Sequence, residues 1–178
     1  MNFTEDDIKG LWIIDPVVCG DSRGYFMESF KKDEFEKQIG SVEFIQENES
    51  QSSYGVLRGL HYQEGDTAQA KLVRVIKGKV LDVAVDIRKD SPTYGRHKMI
   101  ELSEDNKRQF FIPRGFAHGF LVLSETAVFS YKVDNIYSPS TERTLDCFDS
   151  FLNIPWPIDK NNAILSEKDK SGKSFKDI

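Results

Sequence analysis

The chain has 178 residues, 39% apolar and 30% charged, with a formal net charge of −5. That is the mix of a soluble globular protein of one domain, residues 1–178, whose core needs no disulfide or metal to hold it. Nothing in the charge advertises nucleic-acid binding, no apolar run approaches a membrane span, and two cysteines are too few for a disulfide framework.

In chain order, Leu11-Trp12-Ile13-Ile14, Val17-Val18 and Tyr25-Phe26-Met27 read as short strands about the turn-forming Gly20-Asp21-Ser22. Residues 31–39 read as a helix, with Phe35 and Ile39 on one face and Gly40 to end it. Lys71–Ile76 and Val80–Ile87 follow, separated by Lys77-Gly78-Lys79, and are expected to form a hairpin. In the second run Leu81, Val83, Val85 and Ile87 alternate with Asp82, Ala84 and Asp86, so one face is aliphatic and the other mostly acidic. Further strands are expected at His97–Leu102, Gln109–Pro113, His118–Leu123 and Ala127–Val133, and the polar tail from Lys168 is expected to be loose at its end. Many short strands with one helix predict an all-β sandwich or barrel. The N-terminal MNFTEDDIKG has neither a basic region nor a long apolar one, so no signal peptide is expected. With Cys19 and Cys147 as free thiols, a reducing, cytoplasmic setting is the expectation.

Two segments carry chemistry. Arg58-Gly59-Leu60-His61-Tyr62-Gln63 places an arginine and a histidine three residues apart, and on a regular strand they point to opposite faces. Gly59 can supply a bulge that re-aims one of them. A lone histidine is most often a buried, hydrogen-bonded core residue. Here two of only three histidines lie in Gly-flanked strands, which raises the functional reading modestly. Ile112-Pro113-Arg114-Gly115-Phe116-Ala117-His118-Gly119-Phe120 resembles the second half of the cupin signature. The first half normally brings two histidines and a glutamate; the matching place reads His61-Tyr62-Gln63. A transition-metal site therefore lacks half its ligands, so no metal is expected and an acid/base role for His61 gains weight. Arg23, Arg58, Lys71, Lys168, Tyr131 and Tyr137 are each ordinary surface or half-buried residues taken singly. Together they are what a sugar diphosphate needs: guanidinium forks, point charges and an aromatic face.

The segments Gly20–Phe30, Val56–Gln63, Lys71–Val75, Asp82–Arg88, Asn106–Gln109, Ile112–Phe120, Tyr137-Ser138-Pro139, Ile154–Pro157 and Leu165–Asp169, in that order and spacing, resemble the dTDP-4-dehydrorhamnose 3,5-epimerase family across residues 10–170. The resemblance implies a cupin-type jelly-roll barrel with a few short helices, usually a homodimer, working on a dTDP-sugar without a cofactor, nucleic acid or membrane. It implies His61 as base, Asp169 as its partner, Tyr131 as acid and Lys71 facing the keto oxygen. Arg23, Arg58 and Lys168 match diphosphate contacts, Glu28, Gln46, Asn48, His118 and Glu142 match other binding positions, and Tyr137 matches a residue stacking on thymine. The chain departs from the family at Glu47, within a Gln46-Glu47-Asn48 counted among the binding positions, at Glu49 and at Cys147. A metal-dependent cupin enzyme, a non-catalytic sugar-nucleotide binder and an epimerase inverting one carbon stay open on the residues alone.

Overall fold

The computed structural model describes residues 1–178 as two antiparallel sheets and a small hairpin. The strands are β1 (Asn2–Glu5), β2 (Trp12–Asp15), β3 (Val18–Asp21), β4 (Gly24–Met27), β5 (Gln46–Ser53), β6 (Leu57–Gln63), β7 (Lys71–Lys77), β8 (Lys79–Asp86), β9 (His97–Ser103), β10 (Gln109–Ile112), β11 (Phe116–Val122), β12 (Thr126–Val133) and β13 (Glu142–Thr144). Two short helices, α1 (Lys32–Gln38) and α2 (Glu167–Lys170), complete the regular structure. One sheet has the order β1-β2-β10-β7-β12-β5 and the other β13-β6-β11-β8-β9, while β3 and β4 pair only with each other. This is the jelly-roll architecture expected from the sequence.

The layers follow from strand alternation. Val73, Val75, Phe110 and Phe129 of the six-stranded sheet meet Val80, Ala84, Leu102, Phe120 and Val122 of the five-stranded sheet in the inner core. Their neighbours Leu72 and Phe111 point outward, where Phe35 of α1 covers them. On the other outer face Leu57, Val83, Val85 and Leu121 are covered by Leu145, Leu152, Trp156 and Phe175. The α1 helix ends where expected, its last turn stopping before Gly40 at φ +117.

Two expectations need correction. The Lys71–Ile76 and Val80–Ile87 runs do not pair as a hairpin: β7 lies between β10 and β12, and β8 between β11 and β9, in opposite sheets. Gly78 carries the chain across from one sheet to the other. Its φ is +76, and a Cβ there would sit 2.1 Å from the Thr126 carbonyl oxygen. The tail is not loose: α2 contains the buried Asp169, Lys173 bridges to Leu145, and Phe175 is buried against Tyr94 and Phe151. On β8 the acidic residues Asp82 and Asp86 are fully buried. Asp86 accepts from Arg88, Ser91 and Thr93, which hold the following loop.

Candidate active site

The inner space between the sheets is apolar over most of its length and turns polar at one end. There β6 and β11 lie side by side, with His61 and His118 directly opposed. Arg58 opposes Phe120, so three steps along β6 match two along β11. That is a bulge, and it turns Arg58 and His61 to the same side instead of opposite ones. Gly59 makes it, with φ +126 and so little room that a Cβ would meet the Gly119 Cα at 2.6 Å. Arg58 and His61 then line one pocket of about 250 Å³, joined by Lys71 from β7, His118 and Phe120 from β11, Tyr131 from β12, Glu142 from β13 and Lys168 from α2.

His61 Nε2 lies 2.7 Å from Asp169 Oδ1, which also accepts from the Gly59 backbone N–H at 3.2 Å. The other carboxylate oxygen accepts from the Ser166 hydroxyl at 2.6 Å and the Ser166 N–H at 3.2 Å. Burial works to raise the Asp169 pKa, but these donors outweigh it and hold the group at about 2. An ionised partner fixes the tautomer of His61: the proton sits on Nε2, and Nδ1 is the basic nitrogen of the neutral ring.

Lys71 is lowered to about 8 by burial, against the carboxylates of Asp82 and Glu142, which favour its charged form. Tyr131 is raised by burial, with Arg58 opposing, so it stays a protonated donor at neutral pH. His118 Nε2 faces both oxygens of Asp82, at 3.1 and 2.9 Å, and burial keeps the ring below its usual pKa. Toward the surface, Glu142 accepts from Lys168 Nζ at 2.6 Å and from the Tyr137 hydroxyl at 2.8 Å. Arg58 is exposed at the rim and donates to Ser52 Oγ at 3.1 Å.

Other residues singled out in the sequence lie elsewhere within this chain. Arg23 sits on the exposed β3–β4 hairpin, paired with Asp21 and lining a separate depression with Tyr25 and Phe26, and Glu28 is exposed beyond it. On β5, Asn48 opposes Tyr131, shares its half-buried face with Ser50 and accepts from Gln46 Nε2 at 2.7 Å. Glu47 alternates to the other face, where it accepts from Ser130 at 2.9 Å and Lys132 at 2.6 Å. The sequence reading also missed Asp82, Ser50 and Phe129 as parts of the polar end. For Asp82 a signal existed: an acid between Leu81 and Val83 in an aliphatic strand. No three His, Cys, Asp or Glu side chains converge as ligands of one metal ion would, and no helix is long and apolar enough to cross a membrane.

The profile of the dTDP-4-dehydrorhamnose 3,5-epimerase family matches residues 5–177. The chain is 52% identical to the dTDP-4-dehydrorhamnose 3,5-epimerase of Shigella flexneri, over 99% of this chain and 97% of that one. The crystal structure of the Elizabethkingia anophelis enzyme of the same name superposes with TM-score 0.95 at 52% identity, covering 99% of this chain and 97% of that one. A dTDP-6-deoxy-D-glucose-3,5-epimerase of Legionella pneumophila, solved with dTDP-4-keto-L-rhamnose, gives TM-score 0.94 at 47% identity over 98% and 93% of the two chains.

Proposed function

The chain belongs to the dTDP-4-dehydrorhamnose 3,5-epimerase family and has its epimerase activity, and on that premise we propose that the polar pocket converts dTDP-4-dehydro-6-deoxy-D-glucose to dTDP-4-dehydro-L-rhamnose with residues in separate roles. The observation that carries the reading is a histidine–carboxylate pair facing a tyrosine and a buried lysine in one pocket.

The chemistry asks for those groups. A 4-keto group acidifies the C–H bonds at C3 and C5, and removing either proton leaves an enolate. Nδ1 of His61 takes the proton, a step worth ~10²–10⁴-fold, and Asp169 stabilises the imidazolium that forms. Negative charge then grows on the C4 oxygen, where the Lys71 ammonium is more valuable in the transition state than in the ground state. Tyr131 returns a proton from the opposite side, inverting the carbon. Arg58 and Lys168 at the rim suit the diphosphate, Tyr137 the base, and Asn48, His118 and Glu142 the remaining polar groups of the substrate.

Several parts of the reading go with a second copy of the chain and with the cellular setting. The β3–β4 hairpin carrying Arg23 exposes Val17, Val18, Tyr25 and Phe26, and we read it as the segment that reaches a neighbour's pocket in a homodimer. We read residues 1–178 as one domain, working in the cytoplasm on a nucleotide sugar, with no nucleic-acid partner and no cofactor. Proton NMR of dTDP-4-dehydro-6-deoxy-D-glucose with the protein in D₂O tests the activity. Deuterium enters at both C3 and C5 with inversion at each; exchange confined to one carbon rejects the double epimerisation.

A further inference from the structure

Asp169 is held by more than its histidine. It stands in the four-residue helix α2, too short to be held by its own i→i−4 hydrogen bonds. What fixes it is the residue before it, Ser166, in a reciprocal cap. Ser166 Oγ accepts from the Asp169 backbone N–H at 3.2 Å, while the Ser166 N–H and hydroxyl both reach Asp169 Oδ2. The two carboxylate oxygens thus have divided duties: Oδ2 belongs to Ser166, and Oδ1 is left for His61 Nε2 and the Gly59 N–H. The 2.6 Å hydroxyl contact is the shorter of the two from Ser166 and goes to an ionised acceptor, the strong kind of hydrogen bond. Without the Ser166 anchor the only fixed donor left to the carboxylate is the Gly59 N–H on Oδ1, so the group can turn about its terminal bond and the ring of His61 with it.

We propose that Ser166 is a positioning residue for proton removal: its hydroxyl aims the Asp169 carboxylate, and through it the His61 ring. This rests on the assignment of His61 as the base. Ser166 itself is the exposed N-cap of α2 and does not line the pocket, so it touches neither substrate nor reacting atoms.

Two substitutions separate aiming from capping. Glycine is nearly as well tolerated as serine at an N-cap, so Ser166→Gly removes the hydroxyl and leaves the fold. Its kcat falls roughly tenfold to a hundredfold, the range for losing a hydrogen bond to a charged group, with KM little changed. In D₂O, deuterium uptake and inversion fall together, because both need the proton removed. Ser166→Thr keeps a hydroxyl at the same place and recovers most of kcat. The proposal is overturned if Ser166→Gly stays within twofold of wild-type kcat, or if KM rises alone, which would make the cap a support for Lys168. It is overturned equally if Ser166→Thr fails as badly as Ser166→Gly, or if the melting temperature collapses while kcat per folded molecule holds. His61→Asn, assayed alongside, keeps the two ideas apart. If that variant retains a tenth of wild-type kcat, the base assignment itself fails, whatever Ser166 does.

Discussion

His61 and Tyr131 enter the same pocket from different sheets, His61 on β6 of the five-stranded sheet and Tyr131 on β12 of the six-stranded one. In the proposed mechanism a planar enolate bound between the sheets would have the base toward one face and the hydroxyl toward the other. Removal and return of the proton become separable steps.

Tyr131→Phe deletes one hydroxyl and keeps the ring against Phe129. His61 still forms the enolate, and it returns the proton mostly to the original face. In D₂O the ketosugar gains deuterium beside the carbonyl with little inversion. Unimpaired inversion, or exchange and inversion falling in equal proportion, discards the two-residue mechanism.

In the proposed mechanism Lys71 stabilises the enolate, and it does so only as a cation. Burial brings its pKa down to about 8, so the ammonium is present below that pH and lost above it. The free-enzyme profile, kcat/KM against pH, should fall as pH rises through about 8. Lys71→Met should be slow at every pH and lack that limb. A wild-type profile flat from pH 7 to 9.5 refutes the role.

Asp86 takes no part in the pocket but holds the loop after β8. Its hydrogen bonds outweigh burial and set its pKa at about 2, below the usual 3.8 of an aspartate. A depressed carboxylate contributes stability above pH 3.8, and that stability is lost as pH falls toward 2. The contribution is on the order of 2 kcal/mol. Asp86→Asn should melt lower at pH 7, with a flatter dependence of stability on acid, and with kcat unchanged. Equal melting temperatures at pH 7 count against it.

Prolonged EDTA treatment should leave turnover unchanged, since His61-Tyr62-Gln63 stands where a cupin metal site needs a second histidine. Activity lost to EDTA and restored by Zn²⁺, Fe²⁺ or Mn²⁺ sinks this.

Light scattering at micromolar concentration should give at least twice the 20.4 kDa chain mass. In the same assembly, Arg23→Ala should raise KM with less effect on kcat, as loss of a phosphate contact does. A monomeric mass with full activity removes the hairpin from the site.

The sequence by itself determined the β-rich class, helix α1 and the ordered motifs that mark the family, because these rest on local pattern. The alternation of Leu81, Val83 and Val85 writes the faces of β8 directly. Phe35 against Gly40 writes the helix and its end. What it did not disclose were relations across long separations. β5 reads Gln46-Glu47-Asn48-Glu49-Ser50-Gln51-Ser52-Ser53, with only Ser52 buried, so it shows no apolar period; an edge position beside β12 makes it a strand. The hairpin expected of β7 and β8 gave way to strands in separate sheets, because the local pattern of a strand records its faces and not the partners along its edges. Arg58 and His61 share a pocket only because their spacing is read against β11, where a bulge removes a step. Asp169 was named by the family resemblance alone, since nothing local in its polar tail marks it; it reaches His61 across 108 residues because Phe175 and Lys173 dock that tail. A sequence records which side of a strand a residue occupies; which strands lie beside it is decided by burying all the faces at once.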